Sequence, residues 1–257
     1  MRARARYGPP LRFAPGALAA LTLAGALGCA PFAAANAPGP EPSAATALLG
    51  SYSGVVPCAD CPGIRYSLTL LPDSIAVRRM TYLEADDGKD VTFSELRGWR
   101  LAADGPRVVL YGATGAPQLL AVAPGGRKLS MLDAGGNPIR SGLNFDLARA
   151  DTSAGAPAPL TLRGHYRYMA DAGTFQECET ERSFPVSREA DNAALERAYL
   201  GAVHRAGQPL LVSLVAWVAM RPSMEGEGRR ALSIVPVRFV RVEENGRCGE
   251  PADRPGR

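Results

Sequence analysis

Residues 64–70 alternate apolar and polar positions, with Ile64, Tyr66, Leu68 and Leu70 on one side and Arg65, Ser67 and Thr69 on the other. That is the period-two pattern of a half-buried strand. Short segments of the same kind recur near 74–82, 91–101, 107–111, 118–122, 128–132 and 142–147. Turn signals separate them: Leu71-Pro72-Asp73, Asp86-Asp87-Gly88, Asp104-Gly105-Pro106, Pro124-Gly125-Gly126 and Gly135-Gly136-Asn137-Pro138. Closely spaced strands with tight turns predict an antiparallel up-and-down β-barrel, in which closure removes the exposed edges.

The second half orders its elements differently. Strand-like segments at 161–169, 175–178 and 183–186 precede a helical pattern over 191–205, where Leu195, Ala198, Tyr199, Ala202 and Val203 recur at three- and four-residue spacing. Asp191 is placed to cap that helix, and Gly207 with Pro209 marks its stop. Two long apolar strands, 210–220 and 231–242, complete the half. Three strands, a helix and two strands is the order of an OB-type barrel. The predicted fold class is therefore all-β with one helix: an N-terminal lipocalin-like antiparallel β-barrel followed by a C-terminal OB-like barrel domain.

Composition divides the chain further. Residues 1–28 read as a lipoprotein signal peptide, with Arg2, Arg4, Arg6 and Arg12 ahead of a short apolar run from Ala14 to Leu27. Cys29 follows Gly28, the position at which a cleaved leader exposes a thiol for acylation. Lipid anchoring through Cys29 is predicted, and Ala30 in place of an Asp after that cysteine predicts, by analogy with enteric lipoprotein sorting, the outer membrane with the protein facing the periplasm; no other segment reaches the eighteen or so apolar residues of a membrane helix. Residues 29–47 are Ala/Pro-rich and read as a flexible tether, 48–149 as the barrel, 150–159 as an Ala/Pro linker, 160–250 as the OB-like domain and 251–257 as a disordered tail. The formal charge of +4 is matched by the four leader arginines, leaving the remainder neutral. With no basic stripe interleaved with aromatics, no nucleic acid partner is expected.

Five cysteines carry the candidate chemistry. Beyond Cys29, Cys58 and Cys61 sit in Pro57-Cys58-Ala59-Asp60-Cys61-Pro62-Gly63, a pair that can bind a soft ion such as Cu(I), act as a redox dithiol, or close into a structural disulfide. The barrel half contains no histidine, so only a thiolate-dominated metal site can form there. Asp60 in that turn is a candidate oxygen ligand or a local hydrogen-bond acceptor. Cys178 and Cys248 are natural partners if Cys58 pairs with Cys61, although four cysteines permit three connectivities. His165, in an alternating strand, and His204, near the helix end, read as structural, and Met220 with Met224 reads as packing more readily than as a thioether site. No G-x-S-x-G, H-E-x-x-H or G-x-x-x-x-G-K-[ST] motif is present, and no enzymatic activity is expected.

The run from Tyr52 through Cys58-Ala59-Asp60-Cys61-Pro62-Gly63-Ile64, followed by an alternating strand, resembles the signature of the NlpE (CutF) family of bacterial outer-membrane lipoproteins. The segment Gly164 to Cys178 and the later Arg221-Pro222-Ser223 resemble that family's companion domain. The resemblance implies an envelope protein that senses surface contact, faulty lipoprotein transport or copper stress and signals by protein contact, with the sensor kinase of a two-component system as partner. Two other readings compete with it. One is a lipocalin-like carrier of a small apolar ligand; the other is a thiol-disulfide oxidoreductase using Cys58 and Cys61, although a strand rather than a helix follows that pair.

Overall fold

The computed structural model describes residues 43–150, 158–202, 205, 207–223, 226, 228–243 and 246–250. The leader, Cys29, His204, Met224 and residues 251–257 lie outside the described residues. A short helix, α1 (Ala44–Leu48), precedes eight barrel strands. These are β1 (Gly50–Val56), β2 (Ile64–Leu70), β3 (Ile75–Asp86), β4 (Lys89–Leu101), β5 (Arg107–Tyr111), β6 (Gln118–Val122), β7 (Lys128–Met131) and β8 (Asp146–Arg149). Each pairs antiparallel with the next, and Tyr52 and Ser53 close the ring against Arg149 and Ala148.

The alternation read from 64–70 sets the inside. Tyr66, Leu68 and Leu70 pack with Tyr52, Trp99, Val108, Leu110, Leu120, Leu129 and Leu147 in one buried cluster. Tight turns fix the registers. Asp87 and Gly88 both adopt positive φ (47° and 76°) between Asp86 and Lys89, the paired left-handed residues of a two-residue hairpin whose twist matches its strands. Asp73 and Ser74 do the same between β2 and β3, at φ 58° and 62°.

Two features depart from the sequence pattern. Helix α1 adds a second helix to the one expected, and its Leu48 is buried against the end of the barrel. The buried Tyr52 hydroxyl donates to the carbonyls of Leu48 (3.0 Å) and Gly126 (3.1 Å), so the helix caps that end. Strands β3 and β4 also run past the predicted 74–82 and 91–101, because their outer half stands clear of the shorter β5 and carries no burial periodicity.

After residue 158 come β9 (Leu160–Met169), β10 (Ala172–Glu177), β11 (Ser183–Pro185), α2 (Asn192–Gly201), β12 (Leu210–Pro222) and β13 (Arg230–Val242). The sheet order is β11-β10-β9-β12-β13, and a parallel bridge from Val186 to Ile234 brings its two ends together. With α2 between the third and fourth strands, this is OB topology. Helix α2 is shorter than the periodicity suggested: Ala202 turns extended (φ −76°, ψ 143°) and ends it. Asp191 occupies the cap position without capping, because its carboxylate accepts the Phe239 backbone N–H at 2.7 Å and ties the helix entry to β13.

The two halves share a core. On the outer wall of the barrel, Ile75 and Leu96 are buried among Leu160, Leu162, Tyr166, Phe175, Leu214 and Ile234 of the OB sheet. Val77, directly opposite Leu96, packs onto the same cluster. Burying this apolar wall favours the contact between the two halves.

Candidate functional site

The dithiol turn joins β1 to β2 beyond their last pair, Val56 and Ile64. Cys58 and Cys61 are disulfide-bonded with Cα atoms 5.3 Å apart, both half-buried, while Ala59, Asp60 and Pro62 are exposed. Gly63 is needed at the exit: a Cβ there would lie 2.8 Å from Val55 Cγ1. The extended part of β3 backs the turn, since the Leu83 N–H donates to the Gly63 carbonyl at 3.0 Å. From the opposite side, Asn144 Nδ2 donates to the Val55 carbonyl at 2.8 Å. In the same region Tyr82 and Phe93 meet edge-on at 5.7 Å, and Val55 and Phe93 are 49% and 57% exposed.

Among the described residues, no group of three or more His, Cys, Asp or Glu side chains is arranged to hold a metal ion. The dithiol turn supplies two sulfurs, bonded to each other, and the Asp60 carboxylate. Reduced, the two thiolates match the donor preference of a soft monovalent ion that accepts two-coordination; oxidised, they offer no ligand.

Inside the barrel, Tyr52, Leu68, Leu110, Leu120, Leu129 and Leu147 are fully buried in one apolar cluster. A polar chain crosses it. The Tyr66 hydroxyl donates to Gln118 Oε1 at 2.6 Å, Arg78 donates to the same oxygen at 3.2 Å, and Arg78 pairs with Glu95. Burial pushes the Tyr66 hydroxyl's pKa above its ordinary value, against the pull of the Arg78 charge.

That chain runs on to Arg97, which is only 4% exposed and reaches out of the barrel to the OB half. Its Nη1 donates to the Thr114 carbonyl at 3.0 Å and to Glu179 Oε2 at 3.1 Å. Glu179 also accepts from the Thr114 hydroxyl at 2.7 Å, and its backbone carbonyl accepts from the Ala113 N–H at 2.7 Å. Gly112 makes room for this junction, since a Cβ there would stand 2.5 Å from Arg97 Nη1. Glu179 immediately follows Cys178, so the barrel grips the OB half next to its disulfide.

Cys178 is bonded to Cys248, a link that spans 70 residues and fixes the segment after β13. Arg163 on β9 pins that segment at two points. Its Nε donates to Glu243 Oε2 at 2.7 Å, and its Nη1 donates to the Glu250 carbonyl. Burial would raise the Glu243 pKa, but the Ser213 hydroxyl and the Arg163 guanidinium outweigh it and hold the carboxyl below its ordinary 4.5. An acid held low stabilises the fold above its unfolded pKa, and that contribution is lost as pH falls through the lower, folded value. Glu177 behaves oppositely: burial raises its pKa even though it accepts from the Thr180 and Glu179 N–H groups, so its contribution is lost as pH rises. His165 Nδ1 lies 3.8 Å from Cys248 Sγ. Met220 packs on the OB core.

The sequence reading singled out none of Arg97, Glu179, Arg163 or Glu243. One signal was available: Glu95 and Arg97 occupy the same strand face as Trp99 and Leu101, where a barrel interior demands partners for charge.

Comparison with known proteins adds the decisive observation. The model of the NlpE N-terminal domain matches residues 52–142, and that of the NlpE C-terminal OB domain matches 156–249. The chain belongs to the NlpE family. Lipoprotein NlpE of Escherichia coli K12 is 42% identical over 164 residues, 64% of this chain and 66% of that protein. The match thus spans just under two thirds of this NlpE relative's length. The crystal structure of the Cpx pathway activator NlpE from E. coli is 32% identical, covering 78% of this chain and 98% of its own, with a TM-score of 0.36. A putative lipoprotein from Shewanella oneidensis is 30% identical over 41% of this chain and 91% of its own, with a TM-score of 0.35. The NlpE N-terminal match contains the dithiol turn and Arg97; the NlpE OB match contains both Cys178 and Cys248.

Proposed function

We propose that this protein is a lipid-anchored sensor of the bacterial envelope, held at the outer membrane through acylated Cys29, that activates a stress response by contacting a sensor kinase. The observation that carries the reading is the presence of both NlpE domains in order, with the Cys-x-x-Cys turn inside the first. The E. coli relative described as a Cpx pathway activator points to that pathway as the output. Two disulfides suit the oxidising compartment that an exported protein reaches. No catalytic role is assigned.

Two inputs fit the sulfur chemistry. Cys58 and Cys61, when reduced, would supply two thiolates to Cu(I), which favours them as a soft ion. The Cys178–Cys248 bond, which holds the segment after β13 on the OB sheet, would report the redox state of the envelope.

The test is complementation in an E. coli strain lacking its own NlpE, with a Cpx-responsive reporter. Expression of the full chain is expected to raise the reporter under both copper challenge and impaired lipoprotein transport. Cys58→Ser with Cys61→Ser should abolish only the copper response, and Cys29→Ser should shift the protein from membranes to the soluble periplasm. A reporter that stays at the empty-vector level under both stresses would overturn the sensor reading. An unchanged copper response in the double variant would take copper away from the dithiol.

A further inference from the structure

Beside one of the two disulfides stands a titratable ring. The His165 ring stands on the outer face of β9 with Nδ1 3.8 Å from Cys248 Sγ. Cys178, by contrast, is 8% exposed and sits at the barrel junction, while Cys248 is half-exposed on the segment pinned by Arg163. The two sulfurs therefore differ in both access and neighbour. Access makes Cys248 the sulfur an outside reactant meets first, and the imidazole gives that sulfur a base to hand its proton to.

We propose that His165 is the general base for thiol–disulfide exchange at this pair, which makes Cys248 the reactive thiol and Cys178 the resolving one. This deepens the reading of the pair as a redox input and rests on that reading. On oxidation, the Cys248 proton passes to His165 and the thiolate attacks one sulfur of a disulfide donor, an oxidised protein dithiol or oxidised glutathione. The donor's S–S bond breaks, a mixed disulfide forms at Cys248, and the expelled thiolate takes up the proton from His165. The Cys178 thiolate then attacks Cys248 Sγ, releasing the donor's second sulfur, which takes the Cys178 proton. Two electrons pass from the pair to the donor, which leaves as two thiols. Reduction runs the same path backwards, with Cys248 attacked and Cys178 leaving.

The charges around the pair are largely committed elsewhere. On β9, Arg163 is held by Glu243 and the Glu250 carbonyl, and Arg167 is exposed. On β10 and its turn, Glu177 accepts from backbone N–H groups and Glu179 is bound to Arg97 and Thr114. On β12, Leu211 stands opposite His165, and Ser213 bonds Glu243. In the segment after β13, Arg247 and Glu250 are exposed, and Arg241 of β13 pairs with Glu243 at 3.5 Å. Among the described residues, His165 is the group whose ring nitrogen is placed beside Cys248 Sγ, at 3.8 Å.

The experiment is site-resolved alkylation of the reduced full chain by iodoacetamide from about pH 5 to 9, read by mass spectrometry at each cysteine. Cys248 is expected to react faster than Cys178, with a pH midpoint about one unit lower in the wild type than in His165→Gln, a roughly tenfold rate difference near neutrality. His165→Phe, which keeps the bulk but not the base, should behave like His165→Gln. A Cys248 profile unchanged in both variants, or Cys178 reacting first in the wild type, would overturn the assignment. The profile is independent of signalling. A reporter indifferent to this disulfide, together with the shifted profile, would remove the redox input and leave the chemistry of His165 standing.

Discussion

Removal of the Cys178–Cys248 bond is expected to unfold the OB half at a much lower temperature than the barrel. The bond closes a 70-residue loop, for which the chain-entropy relation gives about 4 kcal/mol; the same relation gives only about 2 kcal/mol for the short ring at Cys58–Cys61. In a domain of this size, about 4 kcal/mol corresponds to a fall on the order of 20 °C in melting temperature. Among the described residues, the segment after β13 is also tied at Glu243, by Arg163, by the Ser213 hydroxyl and by its N–H bond to the Leu211 carbonyl, and at the Glu250 carbonyl, which accepts from Arg163. Calorimetry of wild type and of Cys178→Ser with Cys248→Ser, both otherwise oxidised, checks this. Two domains that still melt together at the wild-type temperature would show that the sheet alone holds the OB half.

The second large effect falls on the junction. Arg97 is 4% exposed and its guanidinium is held by Glu179, by the Thr114 carbonyl and, at 3.6 Å, by Glu95. Glu95 is already committed to Arg78. Glu179→Leu would leave a buried cation short of its main partner, a loss that costs about 3 kcal/mol. Adding Arg97→Met should recover part of it, because an apolar pair of similar volume needs no desolvated charge. A double-mutant cycle by denaturant unfolding is expected to return a coupling of at least about 1 kcal/mol. Additive effects would mean that the two side chains meet without holding each other.

Legibility followed burial periodicity. Residues 64–70 announced β2 because one face of it is core, and Asp87-Gly88 announced its hairpin because few other residue pairs accept positive φ twice. The order of three strands, helix and two strands carried the OB half. Strand β1 was hidden, because Gly50, Ser51, Ser53 and Gly54 are small or polar and only Tyr52 and Val56 are buried. Helix α1 was hidden in an Ala-rich stretch whose composition reads as tether. Its place in the structure comes from Leu48 and the hydroxyl of Tyr52, a tertiary contact that no local pattern encodes. The Cys-x-x-Cys turn was legible as chemistry, whereas the Arg97–Glu179 contact and the neighbour of Cys248 join residues 82 and 83 positions apart. Separations of that length leave no periodic trace.

The proposed output of this protein is a physical contact with a sensor kinase. Its most direct measurement is binding of the purified full chain to the isolated periplasmic domain of the Cpx pathway's kinase, followed by isothermal titration calorimetry. Saturable, one-to-one binding in the micromolar range, the strength expected of a transient signalling encounter, is the predicted result. Heats no larger than those of an unrelated periplasmic lipoprotein, at concentrations where that encounter would saturate, would contradict it.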